Sequence, residues 1–330
     1  MAYVSREAVG ALIQPNVLTD IFETQEAYSS VVMSLGTKLN VGTKETIIPI
    51  SGTEPVAEFV EKTGTQAKPI AGKYPAVAEV DAPDIGYKPV SAPTLTDKRL
   101  ILEKIAVIIP LSDCTMEDMT DATAFENYVR RKGEEAIGRR FDRAVILGEN
   151  PPTTYGDGII PSAVAIGNVA TVAKSATPAQ KLDALDEAFA KVEANGYDVD
   201  AIPAQTKFKG IFRQGLTNSN VLVTADMVTG KPTYAYSGVP IAKASVLNGT
   251  DYLAVPGAWK NVYWGVRNEF EVTTTNTGII TNEDGSQYNL FQQDMTAIRI
   301  VLRIGYVVLA SEGTYPIAVV QETEATAQTK

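Results

Sequence analysis

Between residues 123 and 159 the apolar positions recur every four residues: Phe125, Val129, Gly133, Ile137, Phe141 and Val145, with Tyr128, Ala136 and Ala144 beside them. That spacing draws one stripe along about six turns of helix. Thr123 with Glu126 reads as a capping box at its start, and Gly148 followed by Pro151 as its stop. The far side carries Arg130, Arg131, Lys132, Glu134, Glu135, Arg139, Arg140 and Arg143, which predicts a solvated back. The element reads as a scaffold with no chemistry on it.

Upstream, after a break at Gln14-Pro15, Val17, Leu18, Ile21, Phe22, Tyr28, Val31, Val32 and Leu35 keep helical spacing, so an arm with one sticky side is predicted. Residues 44–51 alternate as a strand. Residues 52–95 hold four Gly and six of the 18 Pro. That density prevents helix and central strand alike. Residues 57–60 and 76–80 still keep strand patterns, so the segment reads as a long two-stranded excursion. A hairpin by itself is marginal in water, and so long a loop needs a reason; the expectation is that it lies on another molecule. Residues 98–111 return as a half-buried strand through Leu100, Leu102, Ile105, Val107 and Ile109.

Downstream the pieces shorten. Thr177-Pro178 opens a helix with Leu182, Leu185, Phe189 and Val192 inward, stopped at Asn195-Gly196. Strands are predicted at 198–202, 220–225, 253–255 and 262–266, and a short helix at 204–214. Residues 270–275 alternate, 278–287 are turn-rich, 296–310 form a long strand interrupted by Arg299 and Arg303, and 317–321 form the last. Residues 322–330 read as a frayed polar tail. Mixed helices and strands around a small sheet give an α+β class.

Composition narrows the chemistry. The chain has 330 residues, 45% hydrophobic and 21% charged, with a formal net charge of −10. That size and apolar content support a real core, and the acidic balance argues against a dedicated nucleic-acid binder. There is no histidine and one cysteine. The commonest general base, the commonest zinc ligand, disulfides and Cys clusters are therefore gone. Cys114 reads as a small hydrophobe near a helix start. No secretory leader or membrane-length apolar run is predicted, so a soluble protein made in a reducing compartment is expected. No dinucleotide fingerprint, P-loop, Cys-x-x-Cys or EF-hand spacing occurs. Asp198, Asp200 and Asp294 read as solvated surface groups, and Asn248-Gly249-Thr250 as a turn. No catalytic, cofactor-binding or metal residue is nominated.

The order of parts carries a resemblance. "AEFVEKTG" at 57–64, "FENYVRRKGEEAIGRRFDRAVILGENPPTTYGDGI" at 125–159, "MVTGKPTYAYSGVPI" at 227–241, and "VYWGVRNEFEVTTT" with "FQQDMTAIRIVLRIGYVVLASE" at 262–312 resemble, in order and spacing, the major capsid proteins of tailed bacteriophages, the Hong Kong 97-type fold. The resemblance covers roughly residues 15–320. It implies an N-terminal arm at 1–43, an extended loop with flanking peripheral strands at 44–110, a spine helix at 111–158, an axial domain at 159–265, and returning peripheral strands with a tail at 266–330.

The implied function is structural, not enzymatic. Copies would form pentamers and hexamers of an icosahedral or prolate shell around double-stranded DNA, found in the virion and assembled in the host cytoplasm. Implied partners are further copies, a scaffolding protein, a portal, decoration proteins and non-specific contact with packaged DNA, with no membrane and no cofactor. The absence of a scaffold-length prefix before the arm points to a separate scaffold or to self-assembly. Some relatives weld subunits through a loop lysine, for which Lys62, Lys68 and Lys73 are the candidates. An encapsulin-like nanocompartment shell shares the fold, and a histidine-free hydrolase is the alternative from another class.

Overall fold

The computed structural model describes residues 28–51, 55, 92, 95–114, 122–208, 210–211, 223–225, 232–267, 270–282, 284–311 and 313–324. The first elements are α1 (Val31–Leu35), β1 (Thr37–Asn40), β2 (Glu45–Ser51), β3 (Leu95–Ile101), β4 (Glu103–Ser112) and α2 (Ala122–Asp142). Then come α3 (Ile159–Ile166), β5 (Val169–Ala173), α4 (Pro178–Ala194), β6 (Ile202–Ala204), β7 (Val223–Ala225), β8 (Pro232–Tyr236), β9 (Val239–Lys243) and β10 (Tyr252–Ala254). The chain closes with β11 (Val262–Val266), β12 (Glu271–Thr275), β13 (Ile279–Thr281), β14 (Gln287–Asn289), β15 (Met295–Val308) and β16 (Val319–Thr323). Residues 47–98 form a unit distinct from the rest. Strands β2 and β3 pair only with each other among the described residues.

β15 organises the first sheet. β4 runs antiparallel along one edge, from Met295 opposite Ser112 to Ile304 opposite Glu103. The other edge is shared, β12 pairing with Ala297–Val301 and β11 with Ile304–Val308. β1 adds parallel to β11. Alternation turns Ile298, Ile300, Leu302 and Ile304 to one face, where all four are buried in one core with Phe125, Val129, Ile137, Phe141 and Val145 of α2 and its continuation. The four-residue stripe thus does what its spacing predicts, each large side chain contributing about 2 kcal/mol of apolar burial. Gly133 lies where the helix comes close to the sheet. A Cβ there would run into the tip of Ile300, with Ile109 and Val107 at 3.4 and 3.5 Å.

Two details of this helix differ from expectation. Thr123 lies inside α2, which starts at Ala122, rather than at its cap. Ala136 is exposed, because it falls just outside the arc that meets the sheet. The helix also ends in a π-turn, Arg143–Leu147, before Gly148 closes it at φ 69°. Gly158, at φ 89°, packs against that glycine: a Cβ on it would sit 2.8 Å from the Gly148 Cα. Only paired glycines allow the loop to shut so tightly. Tyr155 in this loop donates to the Ile304 carbonyl at 2.5 Å, and Tyr306 donates back to the Tyr155 carbonyl at 3.0 Å. The two hydroxyls bolt the loop to β15.

The second sheet has seven strands in the order β5-β16-β10-β6-β9-β8-β7. Helix α4 packs on it through Leu182, Leu185, Ala188, Phe189 and Val192, all buried. Its capping box is complete, with Gln180 N–H on Thr177 Oγ1 and Thr177 N–H on Gln180 Oε1. The strand expected at 198–202 is shifted to β6, because Ala201 only bridges to Gly257 while 202–204 pair with β9. Ala204 therefore belongs to a strand, not a helix, and Phe208 just beyond it is fully buried. The turn-rich stretch at 278–287 holds a hairpin, β13 with β14. The last strand runs to Thr323, so Glu322 is a strand residue rather than part of a frayed tail. Among the described residues no helix is long and apolar enough to cross a membrane.

Candidate assembly surfaces

The base of the arm is fastened by one buried carboxylate. Asp142, fully buried, accepts from Tyr28 Oη and Ser30 Oγ at 2.6 Å each, from Val31 N–H at 2.7 Å and from Val32 N–H at 3.4 Å. It thereby satisfies the free N–H groups at the start of α1. Arg139 lies over the Tyr28 ring at 5.1 Å. Burial pushes the Asp142 carboxyl above the usual aspartate range, and its hydrogen bonds oppose that without cancelling it. Tyr28 is raised too, by burial first and by the Asp142 charge second. The signal for this clamp was present in the sequence: Gly138, Asp142 and Ile146 form a four-residue row beside the apolar stripe, and a carboxylate there must be served. The rest of the predicted arm lies outside the described residues.

A second buried carboxylate locks the seven-stranded sheet. Glu322 meets Lys181 at 2.7 Å and Lys207 at 3.0 Å. Burial alone would raise its carboxyl, but the two ammonium groups outweigh it and hold it below the usual glutamate range. Beside it opens a cavity of about 720 Å³ lined by Lys174, Lys207, Asn248, Thr250, Asp251 and Glu322. Its lysines are already matched, Lys174 with Asp251 at 2.9 Å. Gln205, buried beneath, places Nε2 within 2.9 Å of the Leu247 and Thr250 carbonyls and 2.6 Å of Tyr252 O. That amide has two hydrogens for three acceptors, so it pins the 247–252 loop by sharing. Asn248 spends its side chain on Thr206, as a turn residue would.

The other residues that the sequence singles out do not converge. Asp198 is exposed, whereas Asp200 accepts from the Trp259 and Lys260 N–H groups at 2.7 and 3.0 Å. It is a backbone cap rather than a solvated surface group. Cys114 lies in the first helical residues after β4, near a helix start as expected, but it is exposed rather than packed as a small hydrophobe. Lys62, Lys68 and Lys73 lie outside the described residues. Among the described residues no three metal-ligating side chains cluster.

A few large apolar side chains are exposed. Phe291 and Ile279, beside the β13–β14 hairpin, are 76% and 62% exposed, and Leu95 on β3 is 72% exposed.

The sequence profile of the phage capsid family matches residues 9–318, nearly the whole chain. The chain belongs to the phage capsid family. Solved structures agree. A protein of Mycobacterium phage Cain is 26% identical with a TM-score of 0.70, over 99% of this chain and 100% of that one. A protein of Microbacterium phage Oxtober96 gives 24% and 0.71, over 98% and 100%. The capsid of an empty GTA particle has the same fold at 14% identity and a TM-score of 0.58, over 97% and 98%. No curated protein matches the chain significantly. This phage capsid protein is thus a structural shell protein of tailed phages, with the α+β Hong Kong 97-type fold, and the hydrolase reading falls.

Proposed function

We propose that copies of this chain assemble into pentamers and hexamers of an icosahedral or prolate shell that encloses double-stranded DNA. The family match over residues 9–318 carries the reading. In it the five-stranded sheet with α2 serves as the peripheral domain and the seven-stranded sheet with α4 as the axial domain, so that β16 joins the axial part and β11 the peripheral part, unlike the bounds 159–265 and 266–330 expected from the sequence. Residues 52–94, whose two ends leave from the paired strands β2 and β3, serve as the extended loop that lies on a neighbour. Head-to-tail contacts close such rings, and many modest contacts add up in a concentration-dependent shell. A scaffolding protein, a portal and decoration proteins complete the particle, assembled in the host cytoplasm. The net charge of −10 suits a wall that does not hold packaged DNA tightly.

The test is negative-stain microscopy of the purified chain, alone and with its phage's scaffold, followed by nuclease treatment of particles from infected cells. Closed shells with nuclease-protected duplex DNA are expected. Only monomers under both conditions would refute assembly, and particles filled with protein alone would point to a nanocompartment.

A further inference from the structure

The back of α2 carries a four-residue row of its own. Residues 127, 131, 135, 139 and 143 repeat at the interval of the buried row but two residues out of step. That turns them through about 200°, to the side away from the sheet. Three of the five are arginines, Arg131, Arg139 and Arg143, and all three are exposed. They span about 18 Å of helix. Two stand over tyrosine rings, Arg131 over Tyr128 at 5.9 Å and Arg139 over Tyr28 at 5.1 Å. Such stacking steadies the flat guanidinium and leaves its N–H edge to reach outward. The acids of α2 are drawn aside. Glu135, the one acid in the row, is turned onto Lys132 at 3.2 Å with 9% of its side chain exposed, Glu126 meets Arg130 at 3.4 Å, and Asp142 is buried. Among the described residues one exposed carboxylate borders the row, Glu149, 3.5 Å from Arg143. Arg139 and Arg143 also offset the negative end of the helix dipole, but Arg131, about three turns short of that end, gains nothing from it.

We propose that this arginine row is the surface through which the shell touches packaged duplex DNA, by its phosphates. The proposal rests on the shell reading and deepens it by naming the face that looks inward. Guanidinium groups pair with phosphate in a two-pronged fit that lysine cannot make. Among the described residues no large apolar side chain is exposed between 125 and 147, so the ridge offers a polar, wet contact of the kind that DNA takes. The far face of the first sheet is basic too, with Lys104 opposite Arg303 and Arg299 along the same strand. It also exposes Ala106 and Ile108, the latter by 47%, which suits a protein neighbour better than a sugar–phosphate backbone. Each DNA strand offers a charge about every 3.4 Å of its axis, so three cations on a straight ridge find phosphates in any register and read no sequence. Three contacts on a chain of net charge −10 hold weakly and let the duplex slide as it is spooled.

A labelled duplex of roughly 20 base pairs and the purified full chain test this by anisotropy, with no shell needed. Binding at low salt is expected, with log affinity falling by about 2.7 per tenfold rise in salt, or roughly forty-fold between 50 and 200 mM. Arg131→Gln, Arg139→Gln and Arg143→Gln should each lower that slope by about 0.9, and the triple Gln variant should abolish it. The triple Lys variant keeps the charge and should keep the slope. The pair Arg299→Gln with Arg303→Gln, on the sheet face, should leave binding as it is. Unchanged melting curves show that each variant is folded, and single variants serve if the triple is not. A duplex that fails to bind, binds the triple Gln variant as it binds the wild type, or is lost with the sheet-face pair overturns the proposal. So does a polyglutamate peptide that binds this row where DNA does not, which would assign it to a protein's carboxylates. If the duplex binds as expected while the chain never forms particles, the shell reading fails and the phosphate row stands.

Discussion

At the scale of single residues, two buried carboxylates fasten the two ends of the described chain. Replacing Asp142 by Ala would strand Ser30 Oγ and the Val31 N–H in a buried site, so a loss of about 3 kcal/mol is expected. Urea unfolding measures it, and a loss under about 1 kcal/mol would mean that water already serves those donors. The two groups act oppositely on pH. Asp142, raised in the fold, adds stability below the ordinary value of 3.8, and that share is lost as pH climbs through its folded value. Glu322, lowered in the fold, adds stability above the ordinary value of 4.5, and that share is lost as pH falls through its folded value. Glu322→Gln should therefore flatten the fall in melting temperature below pH 4.5, and Asp142→Asn should steepen it. Identical acid profiles for both variants and the wild type would contradict the assignment.

Among elements, α2 against β15 dominates. Ile137 is 2% exposed, and Ile137→Asp should prevent folding, because a lone charge there has no partner. An unchanged melting curve would mean that the inner face is misread. Gly133 separates two effects that pull apart. Gly133→Ala gains about 1 kcal/mol of helix propensity and asks only the flexible tip of Ile300 to move, so it should be nearly neutral. Gly133→Leu overfills the same spot and should cost about 2 kcal/mol. Periodicity made α2, α4 and β15 legible in the sequence because each buries a regular face. It gave no sign of the π-turn at 143–147, where the hydrogen-bond pattern changes but side-chain polarity does not. Short strands such as β6 slipped by several residues, since three positions carry too little period to fix a register. Glu322 was misplaced for a related reason: one carboxylate at a strand end resembles the start of a tail until its two lysines are seen together.

Across the whole molecule, the architecture was readable from the order of the parts and the family from their motifs. The contacts between copies were not, because a single chain shows which side chains are left over and not what meets them. Deleting residues 60–90 should leave a soluble folded monomer that makes no stable shells. Normal particles in the electron microscope would defeat that expectation. Chain order has a further effect. β16 is the last of the described strands, yet it fills an interior slot between β5 and β10. Until the ribosome has released Thr323, β5 has no neighbour, and Lys181 and Lys207 have no Glu322 to meet. The seven-stranded sheet therefore cannot close until residues 319–323 have left the ribosome, and nascent chains arrested before residue 319 should remain open to protease there. A subunit whose second sheet is still open has no finished surface to offer a neighbour, so premature joining is held back.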